Sequence, residues 1–146
     1  MREIPKEWIR GIGLLTVREA SVLPRQLLRT GNWWFLEDGT EGPVNVAAVC
    51  HDGSVSVPGV PPDVNYGRVR PVLRCAFGEE IPLYSSVSAL GETWTVIPGE
   101  TLLCDREIGK RTFNDTSTRP SDARYEGSGI EKTLGEWFSG RMGENR

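Results

Sequence analysis

"GNWWFLEDGTEGPVNVAAVCHDGSVSVPG", residues 31–59, decides the fold. Residues 33–36, with the adjacent Trp33 and Trp34, read as a strand. Val44, Val46, Ala48 and Cys50 then alternate with Asn45, Ala47 and Val49, a period of two with apolar side chains on both faces, as in a strand covered on both sides. Asp52-Gly53 supplies the positive backbone angles of a tight hairpin, and Ser54-Val55-Ser56-Val57 returns along it. All three strands are expected in one sheet. Neighbours on a strand point to opposite faces, so the two indoles cannot share a pocket. One is expected in the core against a helix near the C-terminus, and the other beside the loop 37–43. Large aromatic residues are mostly buried. Stacking of a sugar ring or a partner on one of them, with Trp34 as the candidate, is the alternative.

Upstream, Thr16-Val17-Arg18-Glu19 fits a capping box, in which the hydroxyl and the carboxylate each satisfy a free backbone N–H. A short helix is expected to about Leu23, and Pro24 either kinks it or opens a second turn running to Gly31. Downstream, residues 58–67, "PGVPPDVNYG", read as an ordered loop. A strand follows over 69–73, where Pro71 lacks an N–H and points to an edge or a bulge. Residues 75–91 carry no strong pattern. Residues 93–97 and 100–104 predict a second hairpin around Pro98-Gly99, a pair suited to a type II turn. Ser128-Gly129-Ile130-Glu131 is a second capping box. Ile130, Leu134, Trp137 and Phe138 follow at helical spacing, forming one apolar face of a helix ending near Gly140. The pattern predicts a single α+β domain over residues 1–146: two short amphipathic helices on a twisted, mainly antiparallel sheet.

Composition narrows the function classes. A chain of 146 residues, 38% hydrophobic and 25% charged, has the size and make-up of one globular domain. A net charge of −3 and a pI near 5.3 argue against a nucleic-acid binder. No apolar run approaches membrane-spanning length, and the first residues do not resemble a signal peptide, so no membrane partner is expected. Location in a host cytoplasm or a virion is the corresponding expectation. Cys50, Cys75 and Cys104 suggest neither a disulfide framework nor a metal motif. Three buried thiols in a reducing compartment is the simplest reading.

Chemistry-bearing motifs are sparse. His51 is the one histidine, and on a strand it faces away from Cys50, so the pair makes neither a metal site nor a nucleophile with its base. It is expected on the shoulder of the hairpin. No Gly-x-Ser-x-Gly elbow occurs. Gly11-Ile12-Gly13 lacks the third glycine of a dinucleotide motif, since Thr16 stands there. No catalytic residue, cofactor or metal ligand is predicted. Residues 105–127 carry Arg106, Lys110, Arg111, Arg119 and Arg124, which could meet an anionic partner. Asp105, Glu107, Asp115, Asp122 and Glu126 nearly balance them.

Several blocks resemble a domain of unknown function found in bacterial and phage proteins. Its members read "W-x-V-L", "L-L-L-S", "F-N" and "S-x-I-R-x-W-L", then "L-L-S-x-x-E-A", "W-W-L-R-S-P-G", "A-x-V-x-x-x-G-x-V" and "V-R-P-A-L". Leu14-Leu15-Thr16 with Glu19-Ala20, the double Trp33-Trp34, residues 48–57 and Val69-Arg70-Pro71-Val72-Leu73 resemble the later blocks. Trp94-Thr95-Val96-Ile97, Leu102-Leu103-Cys104, Phe113-Asn114 and residues 125–130 resemble the earlier ones. The order is that of a circular permutant, and the likeness covers most of residues 14–138. The double Trp and the V-R-P-x-L strand are its most specific parts. The resemblance implies a C-type-lectin-like or formylglycine-generating-enzyme-like fold, whose adjacent termini make permutation cheap. Leu36-Glu37-Asp38-Gly39 replaces the family's R-S-P-G, and Ile130-Glu131 replaces its I-R, so neither arginine has a counterpart. The cysteine pair of formylglycine-generating enzymes has none either.

The expectation is a non-enzymatic binding or structural module of phage or mobile-element origin, recognising a protein or small ligand through the loops 37–43, 58–67 and 105–127. Trp34, Glu37, Asp38, Asn65, Tyr66, Arg106, Lys110, Arg111, Arg119 and Arg124 are its candidate contacts, and a homo-oligomer is compatible with it. The alternatives are a phage inhibitor that binds a host defence protein or its nucleotide signal, and an enzyme with an unrecognised site.

Overall fold

The computed structural model describes residues 1–39, 45–63, 67–114 and 124–143, without the side chain of Pro58. In chain order the elements are β1 (Arg2–Glu3), a 3-10 turn (Lys6–Trp8), β2 (Ile9–Gly13), α1 (Val17–Ser21), α2 (Arg25–Leu28), β3 (Trp34–Gly39), β4 (Val46–Val49) and β5 (Val55–Val60). There follow β6 (Gly67–Val69), β7 (Val72–Cys75), β8 (Ser86–Ala89), β9 (Glu92–Ile97), β10 (Thr101–Cys104), β11 (Gly109–Arg111) and α3 (Gly129–Met142). The fold is α+β and mostly sheet. The strands form two sheets rather than the expected one, in the orders β1-β8-β9-β10-β7-β2 and β11-β6-β3-β4-β5. Pairing is antiparallel except at β1–β8 and β3–β6.

Local chemistry sets the elements that the sequence predicts. Thr16 accepts from the Glu19 N–H at 3.1 Å and Glu19 accepts from the Thr16 N–H at 2.9 Å, so the first capping box is complete. Ser128 likewise accepts from the Glu131 N–H, but Glu131 accepts from the Gly127 N–H, one residue outside the box. Both hairpins form, with Gly53 at φ 90° and Gly99 at φ 88°, values that favour glycine. Residues 58–60 belong to β5 rather than to a loop. That strand lies at a sheet edge, where Pro58 forfeits no ladder bond.

The expected strand over 69–73 is two strands in different sheets. Pro71 cannot donate to a ladder, and the chain leaves one sheet there and enters the other. Neither half lies at an edge, since β6 is flanked by β11 and β3, and β7 by β10 and β2. Strand alternation then sorts the core. Trp34, Leu36, Ala47 and Val49 of one sheet meet Val72, Ile97 and Leu103 of the other, and α1 and α2 cover this cluster with Ala20, Leu23 and Leu28. The opposite faces carry Phe35, Val46 and Val69 on one sheet and Leu73, Trp94, Val96 and Leu102 on the other. Helix α3 serves both: Ile130 and Leu134 pack against the first group, and Trp137, Phe138 and Met142 against the second.

Two charged contacts fasten α3. Lys6 donates to the Arg141 and Met142 carbonyls at 3.1 Å, a cation where the helix dipole is negative. Arg141 lies 4.7 Å from the Trp137 ring centroid and donates to the Leu90 carbonyl at 2.7 Å. The sheet also places β7 and β9 on either side of β10.

Candidate functional site

The double tryptophan resolves into two environments. Trp34 is 0% exposed and donates from Nε1 to the Leu28 carbonyl at 3.1 Å. It therefore offers a partner no surface, and its neighbours are α1 and α2, not α3 as expected from the sequence. Trp33 is half-buried and meets Phe35 edge-on, with ring centroids 5.1 Å apart at 87°. It packs on the cluster that α3 covers.

Trp33 also walls a concavity of about 260 Å³ with Gly31, Asn32, His51, Arg68 and Lys110. Strand register sets the two cations of this lining side by side, on the face of the sheet that Trp34 occupies and opposite to that of Trp33. Lys110 of β11 stands directly opposite Arg68 of β6, so both side chains leave the same face, and Arg68 is in turn the partner of Trp34 on β3. Like charges directly opposite across two strands repel. Neither Arg68 nor Lys110 has an ion pair among the described residues. His51, on the Asp52-Gly53 hairpin, completes the rim and is exposed, as expected for a hairpin shoulder. Asn32 Nδ2 and Thr30 Oγ1 each lie 3.2 Å from one Glu107 oxygen, which ties that carboxylate to the segment that leads into β3.

Two other concavities take up most of the remaining candidates. Glu37, Asp38 and Arg124 line an open basin with Tyr125, Glu126 and Glu131. A register shift between β3 and β4 carries Glu37 and Asp38 out of the ladder. The Glu37 N–H then reaches the Leu15 carbonyl at 2.8 Å, and Asp38 accepts from the Val17 N–H at 3.0 Å. Asp38 and Glu131 are thus committed to helix starts. Arg111 lines a cleft of about 330 Å³ between β11 and α3, with Val69, Ile108, Thr133, Glu136 and Trp137. Its guanidinium folds back onto the Lys110 carbonyl at 2.6 Å.

The basic residues of 105–127 are therefore not one patch. Arg106 binds Glu92 in a two-pronged contact at 2.8 and 2.5 Å. Lys110 and Arg111, adjacent on β11, face opposite ways. Arg124 sits among acids. Asn65, Tyr66 and Arg119 lie outside the described residues. Sequence reasoning assigned no binding role to Arg68, which a strand of three residues and no motif conceals, and set His51 aside.

Titration behaviour separates the acids of the basin. Burial pushes the Glu37 carboxyl up; Arg74 opposes this, and the Asp38, Glu19 and Glu131 charges add to it. Burial acts the same way on Glu19, but the Arg74 and Thr16 hydrogen bonds and the Arg74 charge outweigh it and hold that carboxyl below its ordinary value. The two carry opposite signs in stability. Glu37 contributes stability below its unfolded pKa that is lost as pH rises through the raised folded value. Glu19 contributes stability above its unfolded pKa that is lost as pH falls through the lowered folded value. Thermal melts should accordingly show Glu37→Gln raising Tm at pH 7 and Glu19→Gln lowering it, with the Glu37 difference lost as pH falls below its unfolded pKa and the Glu19 difference lost only as pH falls through its lowered folded value.

Cys75 and Cys104 are not activated nucleophiles. Cys104 is buried, whereas Cys50 and Cys75 are half-buried rather than buried as expected, and all three are free thiols. Burial pushes the Cys75 and Cys104 thiols up to about 11, so both stay protonated at neutral pH. Among the described residues no group of three or more His, Cys, Asp or Glu could hold a metal ion. No helix among them is long and apolar enough to cross a membrane. In comparison with known proteins, no family model, no curated protein and no solved structure matches the chain.

Proposed function

We propose that this chain is a non-enzymatic binding module whose ligand carries an anionic group into the concavity walled by Trp33, Arg68 and Lys110. The observation that carries this reading is the Arg68–Lys110 pair, two cations set opposite each other with no acidic partner among the described residues. An anion bridging them would turn a repulsion into two charge-assisted contacts. The negative net charge of the chain makes this local excess of positive charge more specific, because a generally basic surface would not need such an arrangement.

A C-type-lectin-like or formylglycine-generating-enzyme-like fold in permuted order belongs to the same proposal. The flanking of β10 by β7 and β9 in one sheet supports it. So does the meeting of its two most specific stretches: the Arg70 guanidinium carbon lies 5.2 Å from the Trp34 ring centroid. A phage or mobile-element origin rests on the resemblance. Of the two roles it suggests, a virion component and an inhibitor of host defence, the small cationic pocket favours the second, acting on a small-molecule signal.

Inorganic phosphate is the simplest probe. Added at constant ionic strength, it should raise the Tm of the wild-type protein, and a hundredfold excess over Kd would add about 2.7 kcal/mol of stability. The double variant Arg68→Ala/Lys110→Ala should keep its Tm in chloride and lose the response to phosphate. A wild-type Tm indifferent to phosphate, or an equal response in the variant, would refute the reading.

A further inference from the structure

We infer that the cleft between β11 and α3 binds an α-amino acid with an apolar side chain, its carboxylate on Arg111 and its ammonium on Glu136. This site is independent of the anion site above, because Arg111 and Lys110 leave opposite faces of β11.

Strand register and helix spacing build the cleft. Val69 and Gly109 stand opposite each other on β6 and β11, and Arg111 lies two residues further along β11, so all three share one face of the sheet. Thr133, Glu136 and Trp137 are three and four residues apart on α3 and share one face of the helix. With Ile108 they line about 330 Å³, within the range of ligand pockets, which run from about 300 to 1,000 Å³. Val69 is buried, and Ile108 and Trp137 are half-buried against the core clusters, so packing already fixes an apolar floor. Gly109 adds no side chain to fill the space above it.

The rim carries two opposite charges that do not meet. A Cβ added at Gly109 would lie 3.3 Å from Arg111 Nη1, so the guanidinium lies across that glycine, at the cleft itself. Glu136 is exposed on the helix side. Neither residue forms an ion pair, with the other or with any of the described residues. A ligand carrying both charges would give each a charge-assisted contact. Thr133 donates its hydroxyl proton to the Gly129 carbonyl at 3.0 Å, which leaves its oxygen to accept from an ammonium. An α-amino acid holds a carboxylate, an ammonium and a side chain on one carbon. That set matches a cation, an anion and an apolar floor lining one small cleft. A simple carboxylate would leave Glu136 as a repulsive neighbour, and a simple amine would leave Arg111 as one.

Isothermal titration of the full chain with leucine, glycine, isocaproate and isoamylamine tests this. Leucine should bind about tenfold or more tighter than any of the other three, each of which lacks one of its three groups. Arg111→Gln and Glu136→Gln, both at exposed positions, should keep the wild-type Tm and each weaken leucine binding about tenfold or more. Arg68→Ala/Lys110→Ala should leave leucine binding unchanged, so the outcome is separate from that of the phosphate experiment. No binding of leucine at millimolar concentration would overturn the inference. So would isocaproate or isoamylamine binding as tightly as leucine, or a leucine affinity that neither glutamine variant changes.

Discussion

Trp34→Ala should remove about 3–5 kcal/mol of folding stability, the usual cost of emptying a large aromatic site. The ring is wholly buried where both sheets and two helices converge, so no solvent-facing segment can relax into the space it leaves. The change also strips the Leu28 carbonyl of its indole donor and the Arg70 guanidinium of the ring it faces. A loss of this size is a large share of the roughly 5–15 kcal/mol that holds a domain folded. Trp33→Ala should cost clearly less, because that ring is already partly in solvent. Urea melts of the two variants, with Trp33→Ala as the internal comparison, check this. Equal, small losses would mean that neither indole is core.

The second large effect is expected at Arg70. Its side chain is buried, with Nε donating to the Cys104 carbonyl at 2.6 Å and Nη1 to the Leu27 carbonyl at 2.8 Å. Burial disfavours its charge, and the Asp105 and Glu107 carboxylates oppose that effect. One guanidinium thus ties β10 to the end of α2 at the point where the chain passes between sheets. Arg70→Met keeps most of the apolar stem but leaves two carbonyls without this donor, each worth about 1–3 kcal/mol. A total near 3 kcal/mol is expected, read as a fall in the urea midpoint with unchanged m. Arg70→Lys should recover little, since an ammonium cannot present the same planar fork to two separated carbonyls.

These two residues show where the sequence is readable and where it stops. That two adjacent strand residues face opposite ways follows from period alone. Which of them faces the core depends on strand pairing between segments distant in the chain, and this favours Trp34 for burial and Trp33 for the pocket. Turns and caps are local: Asp52-Gly53, Pro98-Gly99, the Thr16–Glu19 box and the Ser128 cap were legible, although the Glu131 half of the second box was not formed. The stripe from Ile130 to Phe138 was legible for the same reason.

Strands β1, β2, β8 and β11 were not. They are two to five residues long, and β2 (IRGIG) and β11 (GKR) lack clean alternation, so their partners rather than their composition make them strands. The pocket shares this origin. Arg68 and Lys110 become neighbours through an antiparallel register that no local pattern specifies. The polar run of 105–127 hid β11 and the buried Phe113 within what read as a continuous loop.

The indole N–H signals of the protein, followed by ¹H–¹⁵N correlation spectroscopy during a titration with inorganic phosphate, test the central claim most directly. Trp33→Phe and Trp34→Phe assign the two signals of interest. The Trp33 signal should shift progressively with ligand. The Trp34 signal should stay in place and exchange slowly with deuterium, because its N–H is buried on the Leu28 carbonyl. A Trp33 signal unmoved at saturating ligand, or a Trp34 proton that exchanges as fast as that of Trp33, would contradict the division into one core indole and one binding indole.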